Sequence, residues 1–94
     1  MTISLEEAKE YLRVDFPEDD GLISGLIQTA WNLAADVARL SDEKREEGPV
    51  DPTLRGATLY ALGYLYEHRE EADHLALTLS LRSLLFSVRE GGGF

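Results

Sequence analysis

An aspartate, two histidines and a serine in the last third of the chain are the residues whose types could carry hydrolytic or metal chemistry. Asp73, His74 and Ser80 supply, on paper, the side chains of a nucleophilic triad, but the sharp strand-to-helix turn that exposes a nucleophilic serine is missing around Ser80. His68 and His74 are the two histidines of the chain, and it has no cysteine, which is too few nitrogen and sulfur ligands for a structural zinc site. The sequence therefore predicts neither a nucleophilic catalyst nor a zinc site.

The acidic turn at residues 15–21 resembles a calcium-binding loop only superficially. If Gly21 is the sixth loop position, the first and twelfth ligand positions fall on Phe16 and Ile27, and neither side chain has an oxygen ligand. The other carboxylates are spread over helix starts and a charged loop, whereas general acid/base catalysis needs two of them in one partly dry cleft. We therefore expect no enzymatic activity, no cofactor and no metal ion.

Length and charge limit the remaining functions. The chain has 94 residues, no cysteine and a formal net charge of −9, so we expect one domain without disulfides, and a cytosolic origin fits. No signal-peptide pattern and no run of about 18 apolar residues occurs, which predicts a soluble protein. The negative charge opposes tight binding to nucleic acid, but it suits a wall that surrounds DNA without holding it.

The first helix is predicted from Leu5 to Leu12. Before it, Ser4 and Glu7 form a capping box, in which the serine hydroxyl accepts a hydrogen bond from the backbone N–H of the glutamate. Apolar residues then recur at helical spacing. The Phe16-Pro17 pair breaks the helical pattern, because a proline disfavours helical geometry at the residue before it.

The second helix is predicted over residues 20–40, with Glu18 or Asp19 as its cap. It would be about 30 Å long at about 1.5 Å per residue. Its two apolar stripes are more than a single neighbouring helix needs, so either the helix is buried in a compact bundle or part of it faces another subunit. The stripes comprise Leu22, Leu26, Ala30, Leu33, Val37 and Leu40, and Ile23, Ile27, Trp31, Ala34 and Ala38.

The third helix is predicted over residues 52–70, starting with Pro52 at its first position and Asp51 as its cap. Gly56 and Gly63 lie seven positions apart and therefore on nearly one face of this helix, where each costs about 0.5–1 kcal/mol relative to alanine. Close approach of another helix is the usual reason for such glycines, and that helix could belong to the same chain or to a neighbour.

The segments on either side of this helix are less regular. Residues 41–50 are predicted to be a charged, solvated loop with a Gly-Pro turn. Leucines alternate over residues 74–81, which by period alone indicates a strand, but a lone strand in a helical domain has no partner unless a neighbouring subunit offers an edge. We expect instead a fourth helix, capped by Thr78 or Ser80, whose start is uncertain by several residues.

Five sequence segments, in order, resemble those of a known family. A first helix ends in Leu-Arg-Val-Asp at residues 12–15; an acidic turn and a long helix follow; a proline-started helix ends in Tyr-Glu-x-Arg at residues 66–69; and Leu-Leu-x-x-x-Arg lies at residues 84–89. This order and spacing resemble the head-tail connector family of long-tailed bacteriophages, also described as adaptor, head-completion or DNA-packaging proteins. The resemblance covers most of the chain.

The fold class that we predict is all-α, a small bundle of four helices with two long antiparallel central helices. Residues 1–90 would form this single domain, and residues 91–94 a flexible glycine-rich tail.

The resemblance implies a virion structural protein of a phage or prophage, located at the head-tail junction and assembled in the cytoplasm of the bacterial host. Its copies would form a homo-oligomeric ring beneath the portal protein, matched to the portal's symmetry. The ring would extend the DNA channel after packaging, let DNA pass without specific binding, and bind a stopper or tail-completion protein.

Five residues are candidates for the contacts of such a ring. Tyr60 and Tyr64 lie on the glycine-bearing side of the third helix and can both pack and donate hydrogen bonds. Arg69 and Arg89 occupy the family's arginine positions, where each serves either as a favourable cation at a helix end or as half of an ion pair between helices or subunits. Phe94 is either part of a frayed end or an anchor that docks on a neighbour or on the portal.

A small acidic protein-binding or regulatory helical module is the alternative function. A version that binds DNA would need a basic recognition helix, and none of the predicted helices carries one. Genes for a portal, a protease and a major capsid protein next to this one would favour the connector.

Overall fold

Helices are the only regular secondary structure in the part of the chain that the structure describes. This structure is a computed structural model, and it describes residues 3–49, 51–68 and 74–85. The prediction of an all-α fold is confirmed over these ranges, but they contain five helices instead of four. The helices are α1 (Leu5–Leu12), α2 (Asp20–Ala38), α3 (Asp42–Glu47), α4 (Pro52–Glu67) and α5 (His74–Leu85).

Helix α1 has the predicted bounds, because its start signal is local. The Ser4 Oγ accepts a hydrogen bond from the backbone N–H of Glu7 at 3.1 Å. The Glu7 carboxylate forms an ion pair with Arg55 of α4. The residue that would complete the capping box thus ties α1 to a neighbouring helix.

Helices α1 and α2 end in the same way, with an arginine in the left-handed region. Arg13 has φ 60° and Arg39 has φ 57°. In each case the backbone N–H of the arginine and that of the next residue bond back into the last turn, which is the Schellman motif. The residue after each arginine, Val14 or Leu40, is buried. Helix α2 therefore ends two residues before its predicted end, since Leu40 turns back into the core.

Asp19 holds the cap position of α2, as predicted, but its side chain makes no capping hydrogen bond. Instead, its Oδ2 accepts a 2.6 Å hydrogen bond from the Tyr66 hydroxyl near the end of α4. The Lys9 Nζ lies 2.7 Å from Asp20 Oδ1 and links α1 to the same end of α2. These contacts bring the start of α2 to the end of α4, which supports the predicted antiparallel orientation of the two helices; that orientation stays a prediction.

The prediction of a loop over residues 41–50 is wrong for residues 42–47, which form α3. Ser41 caps this helix by accepting a hydrogen bond from the backbone N–H of Lys44 at 3.3 Å. Six residues are too few for a stable isolated helix. Contacts with α2 must therefore supply its stability.

Those contacts centre on Arg45. Its Nη1 lies 2.7 Å from Asp36 Oδ1, and its Nε donates to the Leu40 carbonyl at 3.1 Å. The indole N–H of Trp31 donates to the Arg45 carbonyl at 3.2 Å. Because α2 has no basic residue in its own last turn, Arg45 supplies the cation that this helix end favours.

Helix α4 begins as predicted. Pro52 is the first helical residue, and Asp51 Oδ1 accepts from the backbone N–H groups of Thr53 at 2.7 Å and Leu54 at 3.4 Å. The helix ends at Glu67, three residues before its predicted end, and residues 69–70 lie outside the described ranges.

The helix expected at the alternating leucines is confirmed as α5, and no strand forms over residues 74–81. It begins at His74, so the predicted caps Thr78 and Ser80 lie inside the helix, and that prediction is wrong. Leu77, Leu81 and Leu85 recur every four residues and are buried. A period of two and a period of four overlap on these positions, which is why alternation alone misleads.

The core lies mainly between α2 and α4, and α1 and α5 each pack against both of these helices. Among the described helices, none is both long enough and apolar enough to cross a membrane. The buried apolar residues of α2 and α4 are Ile23, Ile27, Ala30, Trp31, Ala34, Ala35, Ala38, Leu54, Ala57, Ala61, Leu62 and Leu65.

Candidate interface surface

The residues considered for chemistry are only partly included in the described ranges. Asp73 and the side chain of His74 lie outside them. His68 stacks on Tyr64 with ring centroids 4.2 Å apart, and its Nδ1 lies 3.0 Å from the Tyr64 carbonyl. No group of three or more potential metal ligands occurs among the described residues. His68 therefore acts here as a packing partner at the end of α4.

Two of the five candidate interface residues can be placed. Tyr60 and Tyr64 lie one turn apart on α4; Tyr60 is 41% exposed and Tyr64 is half-buried against the core. Arg69, Arg89 and Phe94 lie outside the described residues, as does the predicted tail at residues 91–94. Of the five candidates, Tyr60 and Tyr64 are therefore the two that contribute to the described surface.

A pocket of about 420 Å³ opens beside these tyrosines, and we call it the aromatic pocket. Its floor and one wall come from α4, and its other wall comes from the end of α1. Tyr11 and Arg13 were not among the interface candidates named from the sequence. The signal that could have identified them is their position on either side of Leu12, at the end of α1. Residues that line the pocket include Tyr11, Arg13, Tyr60, Gly63, Tyr64 and Glu67.

The predicted close approach at the glycines of α4 occurs at Gly63 and comes from the same chain. A Cβ atom at Gly63 would lie 3.3 Å from Cε2 of Tyr11, which is tighter than ordinary packing. At Gly56 nothing in the described chain lies within 4 Å of such an atom, so approach by a helix of a neighbouring chain stays a prediction there. Gly63 thus lets the ring of Tyr11 lie against α4 and shapes the pocket.

A second apolar surface faces solvent on α5. Leu75 is 70% exposed and Leu79 is 52% exposed, while Arg82 continues the same face one turn later. Arg82 makes no ion pair or hydrogen bond within the described residues. We call Leu75, Leu79 and Arg82 the α5 stripe; leucines this exposed on a small helical domain suggest a contact surface.

The stripe of α2 that begins at Leu22 is mostly covered by the chain itself. Leu26, Leu33 and Val37 are half-buried and pack against the core, and Leu22 at the start of the helix is more exposed. On α2, Leu22 is thus the large apolar side chain left exposed. The other exposed large apolar side chains of the described residues are Tyr11, Phe16, Tyr60, Leu75, Leu79 and Leu84.

Comparison with known proteins bears on the family. The family model described as phage gp6-like head-tail connector protein matches residues 2–90. Comparisons with curated proteins and with solved structures gave no match. The matched range includes the five described helices, the three tyrosines of the aromatic pocket and the α5 stripe, and it confirms the family that the motifs resemble.

Proposed function

The chain belongs to the phage gp6-like head-tail connector family, and from this premise we propose that its copies form a ring beneath the portal of a phage or prophage. The ring would connect head to tail and extend the DNA channel after packaging. The observation that carries this proposal is the family match over residues 2–90. The same observation favours the connector over a regulatory module.

The proposed role is structural and needs no enzymatic activity. A connector of this family would contact head and tail proteins of its phage, and we propose the portal on one side and a stopper or tail-completion protein on the other. It would act at the head-tail junction of the virion after assembly in the bacterial cytoplasm. The exposed Tyr60 on α4 and the exposed leucines on α5 suit such contacts, and aromatic residues are enriched in protein interfaces.

Charge supports free passage of DNA through the ring. The chain has 18 acidic and 9 basic residues, and exposed carboxylates follow α1 and line α3. Phosphate is repelled by such a surface, whereas affinity for DNA rises with the number of Lys and Arg contacts. We propose that acidic side chains face the lumen. A strongly positive inner surface in an assembled ring would refute this arrangement.

Native mass spectrometry over a concentration series, followed by negative-stain imaging with and without portal rings, tests the ring. A closed species with a central hole, formed alone or on the portal, is the expected result. A chain that stays monomeric and does not bind portal rings would instead support the acidic regulatory module.

A further inference from the structure

The outward face of α4 carries two aromatic residues and an acid at regular spacing. Tyr60, Tyr64 and Glu67 lie at positions i, i+4 and i+7, so they form one stripe on the helix, which we call the α4 stripe. Tyr60 and Glu67 are exposed, and Glu67 makes no ion pair within the described residues. This stripe also forms one side of the aromatic pocket.

The α5 stripe has the same spacing and opposite charge. Leu75, Leu79 and Arg82 also lie at i, i+4 and i+7, with two apolar residues followed by a cation. If the two helices run parallel, the leucines fall opposite the two tyrosines and Arg82 falls opposite Glu67. Each stripe is about 10 Å long, at about 1.5 Å per residue, so the match extends over two helical turns.

The two stripes cannot meet within one chain. Helices α4 and α5 already pack against each other, and the buried residues of α5, among them Leu77 and Leu81, lie on the side away from Leu79. The buried residues of α4, among them Leu62 and Leu65, likewise lie away from Tyr60. Within the described residues, the α4 stripe and the α5 stripe of one chain therefore face different directions and do not contact each other.

We infer that the α5 stripe of one copy docks on the α4 stripe of the next copy, with Leu75 and Leu79 against the tyrosines of the aromatic pocket and Arg82 paired with Glu67. This inference rests on the proposed ring and names its contact. Each copy carries both halves, so the contact is head-to-tail, and repetition of such a contact closes a ring when the rotation allows it. A leucine that enters a tyrosine-lined pocket is desolvated at the centre of the interface, where binding energy concentrates.

Disulfide trapping tests the contact directly, because the chain has no cysteine of its own. Two single variants, Tyr60→Cys and Leu75→Cys, are mixed under mild oxidation. The mixture is kept under conditions in which the wild type forms rings, either at sufficient concentration or in the presence of portal rings. A disulfide needs Cα atoms within about 7 Å, so it reports the pairing itself. The control replaces the second variant with Leu22→Cys, an exposed leucine outside both stripes.

A covalent heterodimer of Tyr60→Cys with Leu75→Cys is the expected product, with little homodimer of either variant. Two outcomes overturn the inference while the proposed function stands: rings form but this pair does not cross-link, or it cross-links no better than Tyr60→Cys with Leu22→Cys. If the wild type forms no ring, alone or on the portal, the proposed function fails and the inference fails with it.

Charge reversal supplies a second, independent test. Glu67→Arg brings two guanidinium groups together and Arg82→Glu brings two carboxylates together, so each variant should lose the ring; the double variant restores opposite charges and should regain it. Glu46→Arg, an exposed acid on α3, makes the same charge change outside both stripes and should leave the ring intact. Failure of the double variant to recover, with all variants equally helical, would overturn the pairing of Glu67 with Arg82.

Discussion

Gly56 and Gly63 provide a matched pair of substitutions on one helix. Both lie in the interior of α4, where replacing glycine with alanine gains about 1 kcal/mol of stability from helix propensity alone. At Gly56 the added methyl group meets nothing within 4 Å, so Gly56→Ala should raise the free energy of unfolding by about 0.5–1 kcal/mol. For a domain of this size that corresponds to a rise in Tm of about 4–8 °C per kcal/mol.

At Gly63 the same methyl group lies 3.3 Å from Cε2 of the Tyr11 ring and 3.8 Å from its hydroxyl oxygen. The ring must then move by a few tenths of an ångström or leave its place against α4. Overpacking of this kind costs about 1–3 kcal/mol, although Tyr11 is 48% exposed and can yield, which places the cost near the lower limit. We therefore expect Gly63→Ala to leave the free energy of unfolding unchanged or slightly lower. The free energy of unfolding of this variant should be about 1 kcal/mol below that of Gly56→Ala.

Urea and thermal unfolding of both variants, alone and combined with Tyr11→Ala, measure this difference. Without the tyrosine ring, Gly63→Ala should recover most of the gain seen at Gly56, because residues in contact give non-additive effects. Equal stabilisation by both glycine replacements in the wild-type background would refute the reasoning, and so would additivity of Gly63→Ala with Tyr11→Ala.

Three further substitutions test single features of the fold by chemical denaturation. Arg39→Gly should stabilise the domain by about 1 kcal/mol, since glycine adopts the left-handed region without penalty, whereas the same change at Arg82 inside α5 should destabilise it. Tyr66→Phe should cost about 1–2 kcal/mol by removing the hydrogen bond to Asp19; Tyr60→Phe, at an exposed ring, is the control and should be neutral. Arg45→Ala should cost about 1–2 kcal/mol and loosen α3, which hydrogen exchange would report, because the variant loses an exposed ion pair and the bonds to the end of α2.

Several features of the fold are readable from neighbouring residues alone. Ser4 and Asp51 cap their helices through backbone groups two or three positions away, and Pro52 needs only its own φ angle to start α4. These signals act within one helical turn, so they predict α1 and the start of α4 correctly. The order of such segments also identified the family, which the match over residues 2–90 confirmed.

Other features depend on contacts between distant residues. The side chain of Asp19 bonds to Tyr66, 47 residues later, in place of the backbone of α2. Helix α3 was mistaken for a loop because Arg45 and Trp31, 14 positions apart, hold it against α2. Of the residues that line the pocket, Tyr60 and Tyr64 were named from the sequence as interface candidates, whereas Tyr11 lies in α1 and joins them only through the packing of α1 on α4.

The sequence by itself determined the helical class, the starts of α1, α2 and α4, and the connector family, because caps, breakers and motif order are local properties of the chain. Only the tertiary structure decided which glycine has a neighbour, that residues 42–47 are helical, and which leucines of α5 face the core. Those outcomes depend on which helix faces pack together, since packing buries one face of α5 and leaves Leu75 and Leu79 exposed. The exposed faces of α4 and α5, and hence the proposed contact between copies, follow from that choice.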